Sequence, residues 1–252
     1  MRTALIGHTG FIGSNLARQF AFDECYNSKN IGEIRGREFD LLVCSGVIAV
    51  KWWANQNEAE DRARIDALLA DLAHVRARRA VVLSTVDVYP LSAGVDESFD
   101  CHSQPNHAYG VNRLHFEDAM RERFAETAIV RIGGVFGAGL KKNVIYDLLH
   151  DNCLEMINPA SSFQYYNVGR LWRDLQRLEA TGLRLVNFVT EPVATREIIE
   201  RFFPGKTVGA KAPSEAHYDV HTLHSREFGA QPPYLASATE VLADLDEFVK
   251  GA

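Results

Sequence analysis

Apolar residues along this chain form two kinds of run that alternate. Short unbroken stretches lie at residues 2–6, 39–46, 80–84 and 128–132; the last three read FDLLVCSG, AVVLS and AIVRI. Their length and β-branched content match strands buried on both faces. Between them, at 11–20, 58–75 and 109–124, apolar positions recur every three or four residues, as with Ile65, Leu68, Leu69 and Leu72. That spacing predicts helices with one apolar face. Strand then helix, repeated, predicts parallel strands joined by crossover helices: an α/β chain with a Rossmann-like, doubly wound sheet. Residues 24–28 add a short second strand. The segment between Phe20 and Phe39 hardly holds a full strand–helix–strand unit, so that side of the sheet should be trimmed.

Beyond about residue 138 the pattern loosens. Helices are expected at 143–150, 168–180, 194–203 and 237–249, and a strand at 183–189. The expected division is a Rossmann-like domain at 1–138 and a mixed part at 139–252. The latter reads as a small C-terminal lobe, partly interleaved with the main sheet.

Composition adds exclusions. The chain has 252 residues, 46% hydrophobic and 24% charged, which suits a soluble globular protein with a real core. A net charge of −6 offers no basic field for nucleic acid. The local cluster Arg76, Arg78 and Arg79 is expected at a helix C-terminus, where cations are favoured. Cys25, Cys44, Cys101 and Cys153 are scattered without a CxxC, as expected of reduced thiols in the cytoplasm. No apolar run approaches the ~18 residues of a membrane span, and the start of the chain shows no signal-like segment. HYDVHTLH carries His217, His221 and His224, but without an accompanying carboxylate arrangement; no metal is expected.

The first strand runs straight into GHTGFIG, which places Gly7, Gly10 and Gly13 at G-x-x-G-x-x-G before a helix. In that context Gly7 allows the tight turn, Gly10 lets backbone approach a pyrophosphate and Gly13 lets helix and strand pack closely. The helix N-terminus then faces the phosphates. A ribose-reading carboxylate is expected about 20 residues on. That region holds Asn27, Ser28 and Lys29, with Asp23 and Glu24 slightly early. A hydroxyl and a cation suit a 2′-phosphate, which inclines the expectation from NAD toward NADP; the competing reading makes Lys29 a solvated loop charge.

Two more features belong to the candidate chemistry. VVLSTVDVYP ends a strand with Ser84 and Thr85, at the edge where open parallel sheets bind ligands. AYGVNRLHFEDAM sets Tyr109 and Arg113 four apart on one helical face, where the cation favours the phenolate. GHTGFIG, STVDVY, YGVNR and RIGGVFGAG, in that order, resemble the extended short-chain dehydrogenase/reductases, the NAD-dependent epimerase/dehydratase family. The resemblance covers roughly residues 1–140, with a weaker echo in LVNFVTEPVATREIIERFF.

The resemblance implies that Tyr109 is the catalytic acid/base and that Thr85 hydrogen-bonds the substrate oxygen. Residue 113 would hold the nicotinamide ribose and lower the tyrosine pKa. The family has lysine there almost always; this chain has Arg113, which keeps a charge but releases no proton. Thr9, Phe11, Ile12, Ser45 and Gly46 complete the implied cofactor set. The family's helix asparagine is not evident in EDRARID. Only the second position of the dehydratases' Asp-Glu pair is acidic, at Asp87, which argues weakly against dehydration; a solvated or capping role is the other reading. Lys51, Trp52, Trp53 and Asn55 would line nicotinamide and substrate, or the tryptophans would pack under a lid. His107 would line the pocket or hold the loop. The implied function is NAD(P)-dependent oxidoreduction or epimerisation of a sugar nucleotide or similar carbonyl or alcohol. The alternative is a weak or inactive NAD(P)-binding sensor or scaffold. A homodimer through helices 58–75 and 109–124 is usual for the family.

Overall fold

The structure, a computed structural model, describes residues 1–251. In chain order its first half contains β1 (Thr3–Ile6), α1 (Phe11–Gln19), β2 (Glu24–Tyr26), β3 (Glu38–Cys44), α2 (Lys51–Gln56), α3 (Glu58–Leu72), β4 (Arg76–Thr85), α4 (Ala108–Arg123) and β5 (Thr127–Ile132). The rest contains β6 (Gly134–Phe136), α5 (Val144–His150), β7 (Ser162–Phe163), β8 (Tyr165–Asn167), α6 (Leu171–Thr181), β9 (Leu185–Phe188), β10 (Val193–Ala194), α7 (Thr195–Phe202) and α8 (Ala238–Lys250).

Six strands form one parallel sheet in the order β2-β1-β3-β4-β5-β9. The order reverses beside β1, the arrangement that opens a ligand crevice at the strands' C-terminal ends. Successive side chains alternate between faces. Leu5, Val43 and Val81 pack with Leu16, Leu175 and Leu178 of α1 and α6. Ala4, Ile6, Leu42, Ala80 and Val82 pack with Ile65 and Leu72 of α3 and Phe116 and Met120 of α4. Both faces are covered, which is why these strands read as unbroken apolar runs. Between β2 and β3 the chain makes only a 3₁₀ turn, Ile31–Ile34, in place of a crossover helix.

The C-terminal part enters the sheet and leaves it. β9 pairs with β5 and α6 covers one face, so 171–188 is structurally part of the sheet domain. β6 pairs with β8 and β7 with β10. With α5, α7 and α8 they enclose a separate core around Phe136, Ile145, Tyr165, Ile198 and Leu245.

The arginine cluster needs correction. α3 ends at Leu72 and β4 starts at Arg76, so Arg76, Arg78 and Arg79 are strand residues. Arg76 pairs with Glu38 at 2.8 Å and Arg78 with Asp40 at 3.8 Å, both across to β3. Cross-strand ion pairs let a polar strand start extend the apolar AVVLS. Arg79 does serve a helix C-terminus, but that of α6: it donates to the carbonyls of Leu178 and Glu179, each at 3.1 Å.

Candidate active site

The C-terminal ends of β1, β3 and β4 meet the starts of α1, α2 and α4 at one edge of the sheet. There the three loop glycines have separate reasons. Gly7 has φ +87°, and a Cβ on it would meet the Ser45 carbonyl oxygen at 2.5 Å. A Cβ on Gly13 would meet the Gly7 carbonyl oxygen at 2.1 Å, so α1 lies hard against the turn. Gly10 is exposed, with an ordinary φ of −75°, and a Cβ there would meet nothing closer than 3.3 Å. Internal packing therefore explains Gly7 and Gly13 but not Gly10. An outward-facing Gly10 and a helix start that no side chain caps fit a bound phosphate. Thr9 is exposed beside Gly10, and Phe11 and Ile12 form the first turn of α1.

Ser45 and Gly46 close this loop from behind. The Ser45 hydroxyl donates to the Ile6 carbonyl at 2.9 Å, and a Cβ on Gly46 would strike the Ile6 side chain at 2.7 Å. Both shape the floor of the crevice. Asn27, Ser28 and Lys29 follow the end of β2, and the Asn27 amide lies 3.1 Å from His8 of the glycine loop. Ser28 and Lys29 are exposed. Asp23 and Glu24 sit at the opposite end of β2, on Thr3 and Arg2, and cannot reach the crevice.

Ser84 and Thr85 point in different directions. The Ser84 hydroxyl donates to buried Glu117 at 2.5 Å, inside the protein. Thr85 caps the turn that follows β4, its hydroxyl accepting from the Asp87 N–H at 3.1 Å, and lies against the Tyr109 phenol. Several groups fix the start of α4. Asn55 accepts from the Tyr109 N–H at 2.9 Å, and His107 Nδ1 accepts from the Gly110 N–H at 3.0 Å. A Cβ on Gly110 would meet the Asp87 carbonyl oxygen at 2.4 Å, so glycine lets the helix press onto the Thr85 turn. Asn55 and His107 thus hold the helix that presents Tyr109. Trp52 is 64% exposed, whereas Trp53 lies under the Arg64 guanidinium at 4.5 Å. A lid over both tryptophans is not what the structure shows.

The Tyr109 phenol is buried. Burial raises its pKa, and Asp87 adds to the rise; Arg113, Thr85 and Lys51 pull it down without cancelling the burial effect. The expected lowering of this pKa by residue 113 is therefore present but outweighed.

Arg113 itself is turned inward. Its guanidinium lies 4.2 Å from the Tyr109 ring centre and is only 5% exposed. It makes a two-pronged ion pair with Asp61, at 2.5 and 3.0 Å, and also donates to the Ile48 carbonyl. Asn112 donates to the same carboxylate at 2.8 Å. An arginine so engaged supports the phenol from beneath, with three of its five N–H donors given to Asp61 and the Ile48 carbonyl. Asp61 had no part in the sequence reading, yet a signal was there. It continues the Ile65–Leu68–Leu72 stripe of α3 toward the core, and an acid on an apolar stripe demands a partner.

Two further residues reach the site from distant sequence. Lys51 Nζ lies 2.6 Å from Asp87 and 3.2 Å from the Tyr218 hydroxyl, which also donates to Asp87 at 3.2 Å. Lys142 donates to the Ala49 carbonyl. Neither Tyr218 nor Lys142 has a local pattern that marks it. HYDVHTLH drew attention for its histidines, but His217 contacts Ser162 at 3.0 Å and His221 contacts Asp219 at 3.3 Å.

A family model described as "NAD dependent epimerase/dehydratase family" matches residues 27–177, more than half of the chain, starting after β2 and so not including the glycine loop. No curated protein sequence matches the chain. Among solved structures, MoeE5 in complex with UDP-glucose and NAD superposes with a TM-score of 0.73 at 15% identity, covering 99% of this chain and 98% of that one. dTDP-4-dehydrorhamnose reductase from Yersinia enterocolitica gives 0.72 at 14% identity, covering 99% of each chain. A double mutant of DesIV, a dTDP-glucose 4,6-dehydratase from Streptomyces venezuelae solved with NAD, gives 0.73 at 16% identity, covering 99% and 96%. At these identities the likeness establishes the fold.

Proposed function

Since the chain belongs to the NAD-dependent epimerase/dehydratase family, we propose that it interconverts an alcohol and a carbonyl on a sugar nucleotide, with NAD or NADP bound over the glycine loop. The observation that carries this is the meeting of the Thr85 hydroxyl and the buried Tyr109 phenol at the sheet edge that also holds an outward-facing Gly10. Gly7, Thr9, Gly10, Phe11, Ile12 and Gly13 would hold the pyrophosphate, and Asn27, Ser28 and Lys29 the adenosine ribose. The lack of an acid beside that ribose favours NADP; two of the solved neighbours named above, MoeE5 and DesIV, carry NAD.

The nicotinamide, when bound, supplies or accepts the hydride. The chain does the rest. Thr85 donates to the substrate oxygen, and Tyr109 gives or takes its proton. Burial keeps the phenol protonated until a partner charge arrives, and Arg113 stabilises the phenolate through the ring face. Asp87 is engaged by Lys51, which argues against its use as a free acid or base and favours reduction or epimerisation over dehydration. Four unpaired cysteines support a reducing compartment, the cytoplasm. No described helix is long and apolar enough to cross a membrane. A homodimer through the outer faces of α3 and α4 belongs to the same reading.

Tyr109→Phe tests it. With NADPH or NADH and a panel of nucleotide sugars and their keto forms, turnover should fall by about a thousandfold, within the range proton transfer contributes. Cofactor affinity should be unchanged. Unaltered turnover would remove Tyr109 from the chemistry.

A further inference from the structure

Arg113 leaves a role unfilled. A lysine at that position would place a small ammonium beside the phenol; the guanidinium is instead closed on Asp61 and 5% exposed. The charge that meets Tyr109 is therefore balanced elsewhere, between α2 and the turn after β4.

One face of α2 makes two contacts with the site. Lys51 and Asn55 are four apart and share that face. Asn55 accepts from the Tyr109 N–H at 2.9 Å. Lys51 reaches the Asp87 carboxylate at 2.6 Å and the Tyr218 hydroxyl at 3.2 Å. Asp87 is in turn built against the start of α4. Its carbonyl oxygen lies 2.4 Å from where a Cβ on Gly110 would stand, one residue past Tyr109, and it accepts from the Asn106 amide at 2.9 Å. The Asp87 N–H donates to the Thr85 hydroxyl at 3.1 Å, and its second carboxylate oxygen lies 3.5 Å from the same hydroxyl. A carboxylate thus stands beside the two groups where a phenolate has to form.

An unpaired Asp87 would oppose that phenolate, because like charges repel. Lys51 supplies the counter-charge. Burial works against its ammonium, but Asp87 and the Tyr218 hydroxyl more than offset this, so its pKa stands above the ordinary lysine value. The other groups around the phenol are occupied or neutral. Arg113 is spent on Asp61, and Lys142 donates to the Ala49 carbonyl. His107 is held below the usual histidine pKa, first by burial and then by Lys51, and is neutral near pH 7. The Tyr218 phenol is pushed up, chiefly by burial, and is neutral as well.

We propose that Lys51 is the positioning residue that takes over from the lysine absent at 113: paired with Asp87 across the Thr85 turn, it cancels the one carboxylate that would keep Tyr109 from ionising. This rests on the acid/base role proposed above for Tyr109. It gives α2 a task beyond lining the crevice.

The test is a titration of Tyr109 in the full-length protein. Tyrosines carry carbon-13 at the ring carbon that bears the hydroxyl, and their signals are followed by NMR as pH is raised. The Tyr109 signal is the one lost in Tyr109→Phe, and thermal denaturation verifies that each variant folds. Lys51→Met should raise the Tyr109 midpoint by about one pH unit, and Asp87→Asn should lower it by a similar amount. The double variant Lys51→Met/Asp87→Asn should return it to the wild-type midpoint, and Lys51→Arg should leave it there. A double variant that stays with Lys51→Met overturns the proposal, because the effect would then come from a displaced α2 and not from charge. So does an equal rise in Lys51→Arg and Lys51→Met. If Lys51→Met fails to fold, Asp87→Asn decides alone, and an unmoved midpoint there overturns the proposal. No substrate enters the titration; unaltered turnover in Tyr109→Phe would strike the acid/base role while the charge coupling stood.

Discussion

Arg113 stands where the resemblance implies a lysine, and its surroundings suit a guanidinium. A lysine there would present a single ammonium; the planar guanidinium instead takes both oxygens of Asp61 and stacks under Tyr109. Removing one partner of a buried ion pair strands the other, at a cost of about 3 kcal/mol or more. Asp61→Ala should lose at least that much in urea unfolding, and a loss under about 1 kcal/mol would contradict the pairing. The Tyr109–Arg113 spacing was readable because helical periodicity puts such residues on one face. Which way the arginine turned was not readable, because Asp61 lies 52 positions away on another helix. Spacing also brought Ser84 and Thr85 forward together. Only strand alternation, seen with the sheet in place, separates the hydroxyl held by Glu117 from the one beside the phenol.

At the level of elements, α4 and α1 carry the site, and each start is fixed by a device that can be tested. His107 accepts the Gly110 N–H through Nδ1, which requires that nitrogen to be unprotonated. Its pKa in the folded protein is lowered by burial, then by Lys51. The folded state therefore binds fewer protons than the unfolded one in this range. The stability from this group is present above the unfolded value, about 6.5, and is lost as pH falls through the lower folded value. His107→Asn keeps a cap without titrating, so its stability should fall less between pH 7 and about 5 than that of the wild type. Identical pH profiles would refute the assignment. For α1 the glycines divide. Gly13→Ala drives a methyl into the Gly7 carbonyl and should destabilise by about 2 kcal/mol or more. Gly10→Ala should cost well under about 1 kcal/mol, because its Cβ would meet only the Gly7 carbonyl oxygen, at 3.3 Å, a contact that a shift of a few tenths of an ångström relieves. Equal losses in chemical denaturation would show that Gly10 is there for packing alone. The strand–turn–helix around GHTGFIG was legible because its glycines follow directly from the apolar run of β1. α2 leaves no helical signature in the sequence, since KWWANQN lacks the length to show a period; its order comes from packing against α3 and α4.

Across the whole molecule, the parallel sheet was legible from alternating apolar runs and periodic segments, and the short passage from Phe20 to Phe39 correctly announced a missing crossover helix. The C-terminal part was less so. Its strands are two to four residues long, too short for a pattern, and their partners are remote in sequence, as with Ser162 and Ala194. The division near residue 138 follows sequence, while the structure shares 139–251 between the main sheet and the lobe. Tyr218 and Lys142 reach the site from that part, which is why the chemistry looked incomplete when read along the chain. The central claim is a dinucleotide site built on the glycine loop and facing Tyr109. Its most direct test is a titration of wild type and Gly10→Ala with NADH and NADPH, followed by nicotinamide fluorescence. The account predicts saturable binding to the wild type, stronger for NADPH, and at least about a tenfold loss in Gly10→Ala. No saturable binding of either nucleotide to the folded wild type would contradict it.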